Sequence, residues 1–465
     1  MPKRVALRPA DLAGRRVGIV GIGREGLSLA EMLIRLGSVA SLVAVDQAES
    51  ERAVAWRERF GDTVPLVVGA SEIGHSALRA VDVWLMSPGI PPHSEIFQKV
   101  VETGGIVSSG TDLFMNEHAA HIIAVTGSKG KSTTSALIHH LLKEHGVEVA
   151  WGGNVGIPLW DVPPATWYVA EISSYQCSSL TASPHTAVLT ALFEEHLDWH
   201  GGADQYYADK LNLVGHGPTR VVAQGADHIL RREIAHRYPN LPVTWAGEDV
   251  SWSLGESGGE RGLLHDGELV LRREQFPVVG DHNARNVVLA LIAAESVVTM
   301  TPESVRQALA TFRPLPHRLE QIAQRDGVTY INDSLATNPQ AAVAALRALR
   351  DRRVIIFLGG HDRGVNDSVL RDEVLDHPPA MVVGLPDSGA RVIERIRSWF
   401  AEAGREADRP RLELADSMVD AVRLARSCAR PGDVVVMSPG APSFGQYRDY
   451  EHRAEAFREA VEGAS

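Results

Sequence analysis

The residues with the most chemistry to offer lie in one run, Ala124-Val-Thr-Gly-Ser-Lys-Gly-Lys-Ser-Thr133. Glycines let backbone N–H groups turn toward phosphate oxygens, and a helix that starts beside them adds the positive end of its dipole. In this reading Gly127, Ser128, Lys129, Gly130, Lys131, Ser132 and Thr133 cradle a nucleoside triphosphate. Lys131 reaches the β- and γ-phosphates, and Ser132 holds Mg²⁺. The usual P-loop would place its first glycine at Val125; here the glycine is Gly127, which makes a tighter turn.

A second glycine-rich run, Gly21-Ile-Gly-Arg-Glu-Gly26, follows the apolar stretch Val17–Val20, and Asp46 lies 20 residues after Gly26. That is the spacing of a dinucleotide fingerprint. Alone it fits NAD or FAD, another nucleotide-diphosphate ligand, or a turn that only packs a helix on a sheet. Three further groups follow the triphosphate loop: Glu171-Ile-Ser-Ser-Tyr-Gln176, Glu194-Glu-His-Leu-Asp198 and Tyr207-Ala-Asp-Lys210. The first two come after apolar runs. The carboxyl ends of strands in an open α/β sheet face the ligand crevice, which sets Glu171 and His196 beside the phosphates. Glu171 offers a hard oxygen to Mg²⁺, and a neutral His196 suits a second metal. Lys210 by itself reads as a surface lysine on a helix.

The elements that must carry these residues alternate. Strand, glycine turn, helix and strand over residues 17–46 form a βαβ unit, with another strand at Val81–Met86 before the turn Ser87-Pro-Gly89. Ile122–Val125 reads as a strand and Ser132–Glu144 as a helix. Apolar runs recur at 167–172, at 186–192 and near 220, while 250–275 has the short alternating segments of hairpins. Gly280–Ala294 is helical in pattern, and Arg313-Pro-Leu-Pro316 punctuates the chain. Arg353–Leu358, Met381–Gly384 and Asp433–Met437 are further strands. The fold class is therefore α/β with largely parallel sheets.

At 465 residues, with 44% hydrophobic and 22% charged content, the chain has ordinary globular composition and room for about three domains. A net charge of −12 argues against a nucleic-acid or anionic-membrane partner. Two cysteines, Cys177 and Cys428, give neither a disulfide framework nor a zinc pattern and suit a reducing compartment. No secretory signal and no membrane-spanning run are visible, so the expected location is cytoplasmic.

The set TGSKGKST, EISSYQ, EEHLDWH, DKL, GDHNARN, PLPHRLE, NDSLATNP, GGHDRG and SPGAPSFGQY resembles the Mur ligases over essentially the whole chain, in sequence order. The resemblance implies three domains: residues 1–112, Rossmann-like and holding the UDP part of a substrate rather than NAD; 113–312, a P-loop ATPase-like domain; and 313–465, Rossmann-like and bringing the amino acid. It implies ATP, two Mg²⁺ ions and a lysine carbamylated by CO₂. Ser132 and Glu171 would serve one Mg²⁺, and His196 with carbamylated Lys210 the other; with Lys131 the last three make up the catalytic set. Asn286, Arg318 and Asp333 match the family's adenine, phosphate and ribose contacts. Gly21, Gly23, Arg24, Glu25, Asp46, Ser87, Gly89, Asn154, Ser173 and Gln176 fall on the side of UDP-N-acetylmuramoyl-L-alanine. Thr337, Arg363, Ser443, Phe444 and Tyr450 fall on the side of glutamate. The implied enzyme is a monomer that makes an amide through an acyl phosphate, in peptidoglycan precursor synthesis.

The third domain departs from the pattern of D-glutamate addition. Leu335 stands where that pattern has a lysine, and Arg363 replaces another. Inverting the α-carbon moves one carboxylate relative to the amine, so its cationic partners must move too. The sequence leans to L-glutamate, with the same ligase using D-glutamate as the alternative. More distant alternatives are a folylpolyglutamate synthase-like ligase, an NAD-dependent oxidoreductase suggested by Gly21–Gly26 alone, and a nucleotide-binding scaffold without catalysis.

Overall fold

In a computed structural model the described residues are 4–463, apart from 70–72, 74–77, 79, 155, 279 and 363–367. The chain divides into two compact units, Met1–Phe276 with Ala284–Phe312, and Pro277–Asn283 with Arg313–Ser465.

The first unit contains two parallel sheets. One is built from β1 (Arg16–Val20), β2 (Ser41–Asp46), β3 (Leu66–Val68), β4 (Val83–Met86) and β5 (Ile106–Ser108), in the order β3-β2-β1-β4-β5. The other comprises β6 (Ile122–Thr126), β7 (Val149–Gly153), β8 (Trp167–Glu171), β9 (Thr186–Leu189), β10 (Arg220–Gln224) and β11 (Thr244–Ala246), in the order β11-β10-β9-β6-β8-β7. Every residue of β4, β6 and β9 is buried. Strands buried on both faces read as unbroken apolar runs, and helices must cover both sides of such a sheet. Apolar side chains pack on each face of the first sheet: Ile19, Leu29, Trp56 and Leu85 on one, Val20, Trp84, Phe97 and Val107 on the other. An antiparallel trio, β12 (Trp252–Ser257), β13 (Glu260–His265) and β14 (Glu268–Arg272), occupies the stretch expected to form hairpins.

The helices that bear on the site are α1 (Arg24–Leu36), α2 (Lys131–Glu144), α3 (Ser174–Cys177), α4 (Leu197–His200), α5 (Ala203–Leu211) and α6 (Asp281–Ala294). Local chemistry sets their limits. Ser173 caps α3 by accepting from the Gln176 N–H while the Gln176 side chain returns to the Ser173 N–H. Gly37, at φ 65°, stops α1 in the left-handed conformation that closes a helix.

The second unit holds a mixed sheet of β15 (Glu320–Arg325), β16 (Val328–Asn332), β17 (Val354–Leu358), β18 (Met381–Gly384), β19 (Arg411–Leu414) and β20 (Val434–Met437), ordered β15-β16-β20-β17-β18-β19. Only the β15–β16 pairing is antiparallel. Its two faces are filled separately, by residues such as Ile356, Ile396 and Phe400, and by Phe357, Val435 and Phe457. Among the described residues no helix is long and apolar enough to cross a membrane.

Strand order reverses beside β1 in the first sheet and beside β6 in the second, and these are the places where α/β sheets open a ligand crevice. Both glycine-rich runs leave the carboxyl ends of those two strands.

Candidate active site

The turn after β6 has its shape set by two glycines. Gly127 has φ 148° and Gly130 φ 93°, both unfavourable for residues with a side chain. A Cβ on Gly127 would overlap Thr190 Oγ1, and one on Gly130 would stand 2.8 Å from Asn286 Oδ1. The segment after β9 holds the turn. Ser128 N donates to Ala191 O at 2.6 Å, Phe193 N donates to Ser128 Oγ at 2.9 Å, and Thr190 Oγ1 donates to Lys129 O at 2.6 Å. Ser128 Oγ also lies 2.7 Å from the Tyr206 hydroxyl of α5. The Ser128 side chain is thus consumed in shaping the turn. Gly130 caps α2, so Lys131 and the buried Ser132 form the first residues of that helix.

Two lysines meet at this turn. Lys131 Nζ donates to Gly127 O at 2.8 Å and to Ser128 O at 3.1 Å, and Lys210 Nζ donates to Gly127 O at 2.9 Å. Lys210 is 2% exposed and lies 5.0 Å from the Tyr206 ring centroid. Burial, reinforced by Lys131, pushes its pKa down to about 7. The surface lysine expected from residue type alone is therefore a buried amine, much of it neutral near physiological pH.

Glu171 ends β8, next to β6, and is fully buried. Its Oε1 accepts from Asn154 Nδ2 at 3.0 Å, whereas its Oε2 is buried without a hydrogen-bond partner. A buried carboxylate oxygen without a donor is costly, and a hard cation would compensate it. His196 precedes α4 with φ 55° and packs its ring 4.9 Å from that of Tyr175. Desolvation of the ring leads in lowering its pKa, against Glu195, with Lys210 and Lys131 adding to the fall, so the neutral imidazole that binds metals is favoured. Among the described residues no three His, Cys, Asp or Glu side chains cluster as a metal site. A cation beside Glu171 Oε2 would take that carboxylate oxygen together with phosphate oxygens, a donor set that suits Mg²⁺.

The first glycine run is shaped by its neighbours. Ser87 Oγ donates to Gly21 O at 3.0 Å, and Asp46 Oδ2 accepts from Ile22 N at 3.3 Å. A Cβ on Gly26 would overlap Gly21 O, so this glycine allows α1 to close on the turn. Gly23 caps α1, and Gly89 is exposed in the turn after β4. Arg24 and Glu25 reach away from the turn. Arg24 Nη1 donates to Gly156 O at 3.1 Å, and Glu25 Oε1 accepts from Gln176 Nε2 at 2.8 Å. Gln176 Oε1 in turn accepts from Ser173 N at 2.9 Å and Ser173 Oγ at 3.0 Å.

In the second unit, Asp333 follows β16 and accepts from Leu319 N at 3.2 Å and Ser438 Oγ at 2.6 Å. Arg318 lies between His317 and Leu319, both left-handed at φ 63° and 46°. Asp333 therefore anchors the turn that presents Arg318. Ser443 and Phe444 line a cavity of about 220 Å³ with Gly360, His361, Asp387 and Arg453. Thr337 is exposed and lies outside that lining. Tyr450 also lies outside it, with its ring 5.7 Å from that of His317. Arg363 falls outside the described residues.

Residues 125–294 match the family model of the Mur ligase middle domain, and 317–441 that of the Mur ligase glutamate ligase domain. A Micromonospora protein called UDP-N-acetylmuramoyl-L-alanine–L-glutamate ligase is 42% identical over 98% of each chain. The Salinispora tropica protein of the same name is 41% identical, over 98% of this chain and 99% of that one. The chain belongs to the Mur ligase family. Mur ligases are ATP-dependent ligases, and this chain is an enzyme of that class. In fold it is similar to the UDP-N-acetylmuramate-alanine ligase MurC of Thermotoga maritima, with TM-score 0.59, 17% identity and coverage of 97% of this chain and 100% of that one. It is likewise similar to the MurF ligase of the same organism in complex with ADP, with TM-score 0.58, 15% identity and coverage of 100% and 99%.

Around the turn of this Mur ligase the sequence-predicted Lys131, Lys210 and Asn286 come together. Glu171 and Asn154 bond each other, as do Ser173 and Gln176. Sequence reasoning missed Thr190 and Tyr206, which hold the turn, and Glu195, whose carboxylate lies 3.6 Å from Lys129 Nζ. Tyr206 precedes a quoted motif by one residue, but its hydroxyl role depends on a contact 78 positions back in the chain.

Proposed function

We propose that this enzyme joins L-glutamate to UDP-N-acetylmuramoyl-L-alanine in peptidoglycan precursor synthesis, in the cytoplasm, using ATP and Mg²⁺. The observation that carries the ligase chemistry is the convergence of Lys131 and Lys210 on the Gly127 carbonyl, at the turn that leaves the strand paired with the Glu171 strand. The names of the relatives, together with Leu335, support L- over D-glutamate. The working division is 1–112 for the UDP substrate, 113–312 for ATP and 313–465 for the amino acid.

The substrate carboxylate attacks the γ-phosphorus of ATP to give an acyl phosphate and ADP. The amine of glutamate then attacks the activated carbonyl, and phosphate leaves. Lys131 offsets charge on the transferring phosphoryl group, while the turn's N–H groups and the α2 terminus hold the remaining phosphates. Ser132, Glu171 and His196 are the residues to hold Mg²⁺, which when bound supplies electrostatic stabilisation of the phosphoryl oxygens. The buried amine of Lys210 suits reaction with CO₂, and a carbamate there would replace an ammonium by an oxygen donor. Asn154 and Ser173 match the positions at which the family contacts the muramoyl substrate. Glutamate is assigned to the cavity lined by Ser443 and Phe444; Thr337, Arg363 and Tyr450 are assigned to it by family likeness alone.

Phosphate release measured with UDP-N-acetylmuramoyl-L-alanine, offering D- and L-glutamate separately, tests this function. The expected result is turnover with L-glutamate. Equal rates with both would remove the stereochemical assignment, and activity with neither would remove the substrate assignment.

A further inference from the structure

His200 closes the four-residue helix α4, and its side chain is 0% exposed. Both ring nitrogens are engaged. Nδ1 lies 2.6 Å from Asp209 Oδ2, and Nε2 lies 3.0 Å from Ser174 Oγ. A carboxylate only accepts, so Nδ1 carries a proton and donates to Asp209; in the neutral ring Nε2 accepts from the Ser174 hydroxyl. Gln205 Nε2 donates to Asp209 Oδ1 at 2.7 Å and fixes the far end. Tyr175 stacks on the imidazole at 5.5 Å with a 15° interplanar angle, and Tyr206 meets it edge-on at 5.2 Å.

Contacts in this order occur in nucleophilic Ser-His-Asp triads, but that chemistry needs a serine open to substrate. Ser174 is 2% exposed and sits inside the first turn of α3. The three residues share a different property: each adjoins a residue of the candidate site. Ser174 follows Ser173. His200 lies one helical turn beyond His196 and donates its backbone N–H to the His196 carbonyl at 3.2 Å. Asp209 precedes Lys210. Three separate segments, α3, α4 and α5, are thereby tied together by one imidazole.

We propose that Ser174, His200 and Asp209 form a buried brace that holds Ser173, His196 and Lys210 in register for ligation, with His200 as its central positioning residue. The proposal rests on the ligase reading above. An apolar ring of the same size would fill the space, but it would tie none of these segments together. The brace therefore acts through geometry at the reacting centre rather than through packing alone.

The test compares His200→Phe, His200→Ala and His200→Asn with the parent enzyme. It measures kcat, KM for ATP and for the UDP substrate, and thermal melting. His200→Phe keeps ring volume and stacking but leaves Ser174 and Asp209 without their shared partner, so it should melt somewhat below the parent while kcat falls about 10- to 100-fold, well beyond the loss in Ile234→Ala, with KM for ATP unchanged. His200→Asn, whose amide can still donate to Asp209, should regain part of kcat. Adding Ser174→Ala to His200→Phe should cost little more, because the two residues share one interaction. Ile234→Ala, a core change in the same unit, should lower the melting point without that loss of kcat. If His200→Phe turns over at the parental rate, or if kcat merely tracks the melting point across the series, the brace is overturned. Should His200→Ala not fold, His200→Phe and His200→Asn decide the matter. A parent enzyme without ligase activity would instead refute the function on which the brace depends.

Discussion

Glu171 and Lys210 show how burial prepares single groups for work that exposed ones could not do. The Oε2 of Glu171 has no donor although the residue is fully buried. Glu171→Gln replaces that charge by an amide of the same shape. The expected outcome is loss of ATP-dependent turnover with a melting temperature for the ligand-free protein equal to or above the parent's, the usual exchange between function and stability at a site. A lower melting temperature would show that the carboxylate is satisfied some other way. For Lys210 the sign follows from linkage. Its folded pKa is about 7, below the ordinary lysine value, so between these limits the unfolded chain binds the extra proton. Stability should rise with pH from about 7 to about 10. Lys210→Met should flatten that rise in a melting-temperature series. None of this was visible from residue type, because burial of a lysine comes from tertiary packing. The motif DKL located the residue only through its family likeness.

At the scale of elements, a hydrogen-bonded chain from Glu25 through Gln176 to Ser173 ties the first glycine turn to α3. Desolvation raises the Glu25 carboxyl to about 7, against the opposing Gln176 hydrogen bond and Arg24. The unfolded chain ionises near the ordinary glutamate value, so this group's contribution is fully present below about pH 4 and is lost as pH rises to about 7. Glu25→Gln should remove the loss, and its melting temperature should exceed the parent's above pH 7 while matching it near pH 4. An equal offset at both pH values would deny Glu25 the role. The glycine spacing revealed the βαβ unit, but α1 begins at Arg24, inside the glycine run and ahead of the apolar pattern from Leu27, and nothing local shows Glu25 turned toward another sheet. Buried runs such as Ile122–Thr126 and Val354–Leu358 were legible as strands because β-branched residues crowd them. Short or partly exposed strands escaped: β3, β11 and β19 contain few wholly buried positions, and β15 alternates too weakly. The left-handed His196 had no local signal, since neither glycine nor asparagine marks it.

At the scale of the molecule, each compact unit has its own apolar core. Unfolding without ligand should not fit one two-state transition, and calorimetry should give a total enthalpy above the van't Hoff value. A single transition with matching enthalpies would mean the units melt together. Sheet class and the order of motifs along the chain were readable in advance because buried strands and glycine turns leave dense local patterns. Which side chains serve architecture and which serve substrate was not, and Ser128 is the clearest case. Its hydroxyl is tied to the segment after β9 and to Tyr206, and the neighbouring carbonyl of Lys129 is tied to Thr190. Such a cradle has little left to order when a nucleotide arrives. Encounter should therefore be quick and nearly indifferent to changes in the latch, while residence time bears the difference. Thr190→Ala should hasten departure of a labelled ADP far more than it slows arrival.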